Sequence, residues 1–242
     1  GAEGEAAAAA EGGEAAAPAK EGDAAKKDDK GKEAAGDKKS SGEKKPEKIF
    51  INMLLLVGLG NPGPNYDNNR HNIGFKVIDA INQQFSLSKQ KPKFKGLLTT
   101  GNIENKKVYA IKPLTFMNNS GTCIRELIEY FKIDAKNVFV FHDDLDIDLG
   151  KVKAKFGGSS AGHHGIESID KSIGKDYSRV RIGIGHPKNG KKVDTHVLED
   201  FSENEEDRIK DITENIVKLI PTLIEKKIDI FSSKVNENLN GI

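Results

Sequence analysis

The sequence predicts an α/β protein: a single three-layer domain with a mixed, largely parallel central sheet, preceded by a disordered low-complexity tail. Three observations carry this expectation. Short, nearly continuous apolar runs at Ile49–Gly58 and Val138–His142 read as strands covered on both faces. Segments with apolar residues at helical spacing lie between the strands, and alternating strands and helices stack as a sheet between helical layers. The first 48 residues contain no Val, Ile, Leu, Met, Phe, Tyr, Trp or Cys. Such a segment has almost nothing to bury and cannot offset its ordering entropy. The expected boundaries are therefore a tail over 1–48 and a domain over 49–242.

Each element follows from its own pattern. After the first strand, Gly58–Asn69 is a polar loop with two prolines. A helix is expected over Asn72–Phe85, with Phe75, Ile78, Ala80 and Ile81 facing inward. Strands near Phe94–Ile103 and Val108–Lys112 are joined by the turn-like Glu104-Asn105-Lys106. Met117–Lys132 reads as a second helix, opened by Asn118, Asn119 or Ser120 as its cap. Lys151–Phe156 and Val180–Gly185 alternate as half-buried strands do, with a Gly/Ser loop and a helix around Ile166–Ile173 between them. From Glu203 to Phe231, apolar residues keep helical spacing, with a kink expected at Pro221.

Composition excludes several classes. The tail carries twelve acidic residues, ten Lys and no Arg, unlike an Arg-rich transit peptide, and it lacks the apolar run of a secretory signal. It reads as a solvated extension. The remainder holds 28 Lys and Arg against 25 Asp and Glu, so any RNA contact must rest on local basic patches. The apolar run Met53–Val57 is far too short to span a membrane. One cysteine, Cys123, excludes an internal disulfide and suits a reducing compartment. It falls on the stripe Cys123, Ile124, Leu127, Ile128, Phe131, which makes it a core residue rather than a nucleophile.

Five clusters carry polar chemistry. Gly58-Leu59-Gly60-Asn61-Pro62-Gly63 matches a dinucleotide fingerprint, but Pro62, Pro64 and the polar residues after them delay the helix that motif needs. What remains is a tight loop at a strand end, able to present Asn61. Arg70-His71-Asn72 opens a helix. His142-Asp143-Asp144-Leu145-Asp146-Ile147-Asp148 follows a buried strand; counted from Asp144 it has Leu149 and Lys155 where a calcium loop needs Gly and Glu. A carboxylate there can instead hold an imidazole in one tautomer. Thr115–Gly121 places amide side chains at a helix start. Gly157–Gly165, preceded by Lys153 and Lys155, suits either phosphate binding or a mobile lid. No G-x-S-x-G and no Cys/His pair marks a covalent nucleophile.

In order, these motifs resemble bacterial-type peptidyl-tRNA hydrolase: LLVGLGNPGPNY, RHNIG, KPLTFMNNSG, HDDLD, the Gly-rich loop, then RIGIGHP. The resemblance runs from Met53 to the end. It implies a single, monomeric, cytoplasmic α/β enzyme without metal or other cofactor, or alternatively one from an organelle of a eukaryotic cell. Its substrate would be peptidyl-tRNA. It places the catalytic base on His71, its partner on Asp143, and substrate-positioning amides on Asn61 and Asn118. Tyr66, Phe116, Met117, His163 and His164 are implied as substrate-binding, and Lys153, Lys155 and Arg181 as tRNA-binding. Where the family loop usually reads G-G-H-N-G, this chain has Ala161-Gly162-His163-His164-Gly165. His164 in the place of Asn predicts a slower reaction with the same dyad. The competing expectations are a catalytically weak RNA-binding or ribosome-associated relative of the same fold, and, on the rejected glycine pattern alone, a nicotinamide enzyme.

Overall fold

In the computed structural model, which describes residues 53–188 and 190–240 with the side chains of 239 and 240 excepted, the first apolar run forms β1 (Leu54–Gly58). The expected tail over 1–48 and the expected strand start at 49–52 lie outside the described residues. All five residues of β1 are buried, and the strand's period of two divides them between two cores. Leu54 and Leu56 face one core, and Leu55 and Val57 the other. The same division runs through β5 (Val138–Asp144), where Phe139 and Phe141 oppose Val138 and Val140. This is why both runs lack alternation in sequence. The layer on the first face is α1 (Ile73–Gln84), α5 (Glu203–Lys218), α6 (Ile220–Ile224) and α7 (Ile228–Asn240). The other face is covered by α2 (Ser120–Phe131) and α3 (His164–Ile173).

The remaining strands are β2 (Lys91–Lys93), β3 (Gly96–Ile103), β4 (Lys106–Pro113), β6 (Val152–Phe156) and β7 (Ser178–Gly183). The seven-stranded sheet has the order β2-β3-β4-β1-β5-β7-β6. Its four central strands are parallel, flanked by antiparallel β2, β3 and β6. The three-layer fold with a mixed sheet, parallel at its centre, is as expected. Cys123 is fully buried in the α2-side core, and burial pushes its thiol up to about 12.

Three local expectations need correction. The strand Lys91–Lys93 and the short helix α4 (Val193–Val197) were not expected. The C-terminal segment is three helices rather than one kinked helix. It breaks at Leu219, with Pro221 in the first turn of α6, a position where the missing N–H costs nothing. Asn119 does precede α2, but its side chain makes no cap bond; Ser120 Oγ instead donates to the Met117 carbonyl at 2.9 Å.

Two features position the functional end of the sheet. Gly58 and Gly74 let β1 touch α1, since a Cβ on Gly58 would lie 2.2 Å from the Gly74 carbonyl oxygen. At the β6 edge, Asn236 on α7 accepts from the Val152 N–H at 3.0 Å and donates to the Val152 carbonyl at 2.7 Å. Ser232 Oγ accepts from the Ala154 N–H at 2.9 Å. No helix among the described residues is long and apolar enough to cross a membrane.

Candidate active site

The C-terminal ends of β1 and β5 are neighbours in the sheet, so their loops meet, as sites in open α/β sheets do. A single 3₁₀ turn, Arg70–Asn72, carries the first imidazole. Its neighbours are clamped on both sides. Asn72 accepts from the Asn61 N–H at 2.8 Å and donates to the Asn61 carbonyl at 2.9 Å. Arg70 donates to Glu205 at 2.8 Å, and Glu205 also closes the capping box with Ser202 at the start of α5. Hydrogen bonds from Arg70 and Ser202 hold the Glu205 carboxyl at about 2, against the opposing effect of burial. The ring between these two clamps is left little freedom.

His71 Nδ1 lies 2.8 and 2.9 Å from the two carboxylate oxygens of Asp143. A second imidazole reaches the same carboxylate, with His163 Nε2 at 3.0 Å from Oδ1. The tautomer of His163 follows from its other nitrogen. Nδ1 accepts from the backbone N–H of Gly165 at 3.1 Å and of Ile166 at 3.3 Å, capping α3. Nδ1 is therefore the unprotonated nitrogen, and Nε2–H donates to Asp143. Asp143 thus faces two N–H donors. Burial opposes its ionisation, but the neighbouring His71 and the hydrogen bonds from His163 and His71 outweigh that and hold its pKa well below the usual range. Burial likewise works against a charged His71, yet Asp143, with a contribution from the Asp194 charge, raises its pKa above the ordinary value. His142, fully buried, donates from Nδ1 to the Asp143 carbonyl at 2.7 Å, and burial above all holds its pKa well below the ordinary value and keeps it neutral.

Asn61 is oriented just as firmly. Its Oδ1 accepts from the Met117 N–H at 2.9 Å, which fixes the amide flip and turns Nδ2 to the cleft beside His71. The cleft has two lobes. One, of about 310 Å³, is lined by Asn61, Phe116, Met117, Asn118 and Leu198; the other, of about 260 Å³, by Asp143, His163, the Gly-rich loop and His186. His71, His164, Asp194 and Val197 line both lobes and so form the junction between them. An imidazole with one nitrogen on a buried carboxylate, beside a fixed amide N–H donor, is the equipment for proton transfer to and from a water attacking a carbonyl.

A model of the peptidyl-tRNA hydrolase family matches residues 55–241. The chain belongs to this family. A peptidyl-tRNA hydrolase of Pelagibacter ubique is 74% identical over 184 residues, 76% of this chain and 99% of that one. One of Bartonella henselae is 45% identical over 189 residues, 78% of this chain and 98% of the other. The crystal structure of peptidyl-tRNA hydrolase from Acinetobacter baumannii aligns with a TM-score of 0.72 at 33% identity, covering 77% of this chain and 95% of that chain.

Of the residues that the peptidyl-tRNA hydrolase resemblance singled out, the structure gathers His71, Asp143, Asn61, Asn118, Phe116, Met117, His163 and His164 around one cleft. Tyr66 sits on the 3₁₀ turn Pro64–Tyr66 and lines neither lobe. His163 lines the cleft, but both its ring nitrogens are spent inside the protein. Phe116 is 60% exposed, an apolar wall open to a ligand. Lys153 pairs across the β6–β7 ladder with Arg181, and Lys155 with Arg179, so the four cations share one face of this antiparallel edge pair. Arg181 donates to Asp144 at 2.6 Å. The buried Arg179 donates to Asp170 at 2.6 Å and to the Ser159 carbonyl at 2.8 Å, holding the Gly-rich loop to the sheet. Burial, then the Arg181 and Arg179 charges, pulls the Lys155 pKa down, which marks a locally positive face.

His71, Asp143 and His163 also bring one potential metal ligand each to within 4.8 Å of one another, the one such group among the described residues. The hydrogen bonds assign these atoms otherwise. With Nδ1 committed to the α3 N-terminus, His163 has only a protonated Nε2 to offer, already donated to Asp143. Sequence reasoning missed Asp194 and the clasp made by Asn72. Asn72 stood within the RHNIG motif and could have been weighed; α4 offered no periodic signal.

Proposed function

We propose that the chain hydrolyses the ester between peptide and tRNA in peptidyl-tRNA, with His71 as general base oriented by Asp143. The observation that carries this reading is the His71–Asp143 pair: Nδ1 is held on a buried carboxylate, which leaves Nε2 as the basic nitrogen. A water placed between Nε2 and the ester carbonyl gives its proton to His71 while its oxygen bonds to carbon. Asn61 Nδ2–H stabilises the developing oxyanion, with Asn118 positioning the peptide. Collapse breaks the bond to the ribose oxygen, which takes the proton back from His71. Asp143 stays ionised throughout and favours the imidazolium that forms.

The apolar lobe at Phe116, Met117 and Leu198 suits a peptide of any sequence. The lobe beside the Gly-rich loop leads, through the Asp144–Arg181 ion pair, toward Lys153 and Lys155, and suits the tRNA end. His164 lies at the junction, where it contacts substrate or water. All these residues come from one chain, so a monomer suffices, and the single buried thiol suits the cytoplasm.

Incubation with purified N-acetyl-aminoacyl-tRNA tests the reading. Wild type should release free tRNA, and His71→Ala should lose hydrolysis while binding tRNA nearly as tightly. Near wild-type turnover by His71→Ala would refute the dyad. Tight RNA binding by wild type with no turnover would instead mark a binding-only relative.

A further inference from the structure

Resting on that reading, we propose that Asp194 makes the cleft select by charge the amino acid esterified to tRNA, favouring a cationic side chain over an acidic one. Among the described residues, only His71, His164, Asp194 and Val197 line both lobes. A substrate with peptide in one lobe and tRNA in the other places its ester, and the side chain next to that ester, at this junction.

The cleft acids differ in how far their carboxylates are engaged. Asp143 faces two imidazoles. Asp144 is paired with Arg181 at 2.6 Å, and Asp146 lies within hydrogen-bond distance of His186 at 2.9 Å. Asp194 makes no ion pair and no side-chain hydrogen bond with any of the described residues. On its own segment, Lys191 is engaged by Glu199 at 2.7 Å, and Lys192 serves as the residue before the helix. Asp194 is therefore the cleft carboxylate with no hydrogen-bonding side-chain partner among the described residues.

Its surroundings strengthen that charge. Val193, Val197 and Leu198 flank it, Val193 and Leu198 with 43% and 44% of their surface exposed, and Phe116 lines the adjoining lobe. When a substrate covers these apolar side chains, less water remains to screen the carboxylate. The charge also reaches the reacting centre, since it acts on His71. A lysyl side chain beside the ester is attracted, and a glutamyl one repelled. Because Asp194 is itself exposed, the preference should be modest and sensitive to salt.

The experiment uses the full chain and three substrates, N-acetyl-lysyl-, N-acetyl-glutaminyl- and N-acetyl-glutamyl-tRNA, charged onto one tRNA body. The ratio of kcat/KM for Lys over Glu should be about 3–10 at low salt, with Gln between. Asp194→Asn should bring that ratio close to one, and Asp194→Lys should invert it. Any effect of these changes on His71 basicity acts on all three substrates alike and cancels in the ratio. A wild-type ratio near one, or a ratio that Asp194→Asn leaves unchanged while hydrolysis proceeds, overturns the inference and spares the hydrolase reading. Absence of hydrolysis with all three substrates overturns both.

Discussion

Replacing Asp143 by Asn removes one charge and almost no volume, and the hydrogen bonds around it allow the cost to be worked out. Oδ1 serves His71 and His163 at 2.8 and 3.0 Å, and Oδ2 serves His71 at 2.9 Å. An Asn can keep its single oxygen on the shared side, facing both N–H groups. Its NH₂ then meets the His71 Nδ1–H, donor against donor. His163 cannot adjust, because its Nδ1 is occupied by two backbone N–H groups. The relief left is for His71 to change tautomer, accept at Nδ1 and present Nε2–H to the cleft. That ring is no longer a base toward water. Loss of general-base help costs about 10²–10⁴-fold, so kcat should fall by a factor in that range with KM little changed. The pH profile should move as well. As the proposed base, His71 must be neutral to act, and Asp143 raises its pKa above the ordinary value, so hydrolysis should decline as pH falls through that raised value. Without the carboxylate, burial remains and pulls the pKa down. The residual activity of Asp143→Asn should therefore hold to lower pH than wild type does. Single-turnover hydrolysis of N-acetyl-aminoacyl-tRNA between about pH 5 and 9, a span that brackets the imidazole range, measures both effects. A variant within threefold of wild type, or one with an unmoved acid limb, would refute the argument.

Further outcomes can be checked with the same substrate. Lys153→Ala with Lys155→Ala should weaken tRNA binding and make its log–log salt slope shallower by about 0.7–0.9 per lost phosphate contact; an unchanged slope would show that these lysines only solvate the strand. His164→Asn, at a side chain 67% exposed and 3.8 Å from Glu167, should raise kcat/KM by about 2–10-fold, because a planar amide both donates and accepts within a shorter reach. Equal rates for the two proteins would place His164 outside the reaction. Removal of residues 1–46 should leave the melting temperature and the hydrolysis rate unchanged, since that segment has no apolar side chain larger than Ala or Pro to contribute; a large fall in melting temperature would refute this.

Where the chain's own chemistry determines local structure, the sequence was legible. β1 and β5 stand out because a strand buried on both faces cannot alternate, and the loops that end them hold Asn61 and Asp143. The order of motifs placed His71 and Asp143, 72 positions apart, in one site, and the structure puts them 2.8 Å apart. Other features were hidden because tertiary contacts create them. β2 is Lys-Pro-Lys, all exposed, and becomes a strand only because β3 offers it an edge. α4 is five residues long with a single buried side chain, His196, whose Nε2 lies 3.0 Å from the Gly185 carbonyl; no periodicity can announce such a helix. The break at Leu219 falls inside an apolar run that continues at helical spacing on both sides. The commitment of His163 to α3 and Asp143 depends on how the Gly-rich loop is held, and Arg179, from another strand, donates to the Ser159 carbonyl of that loop.

The edge of β6 bears on how such a protein handles its substrate. A nascent peptide is an extended chain with free amides, and an open strand edge binds any such chain through main-chain pairing, whatever its sequence. Here the outward N–H and C=O groups of Val152 and the N–H of Ala154 are already answered by Asn236 and Ser232, side chains standing in for an eighth strand. At the opposite margin, Pro92 has no N–H to give and lysines flank it. A peptide carried in on tRNA meets these edge positions already answered or unable to donate, which favours the cleft, where its ester to tRNA can be cut and the peptide let go.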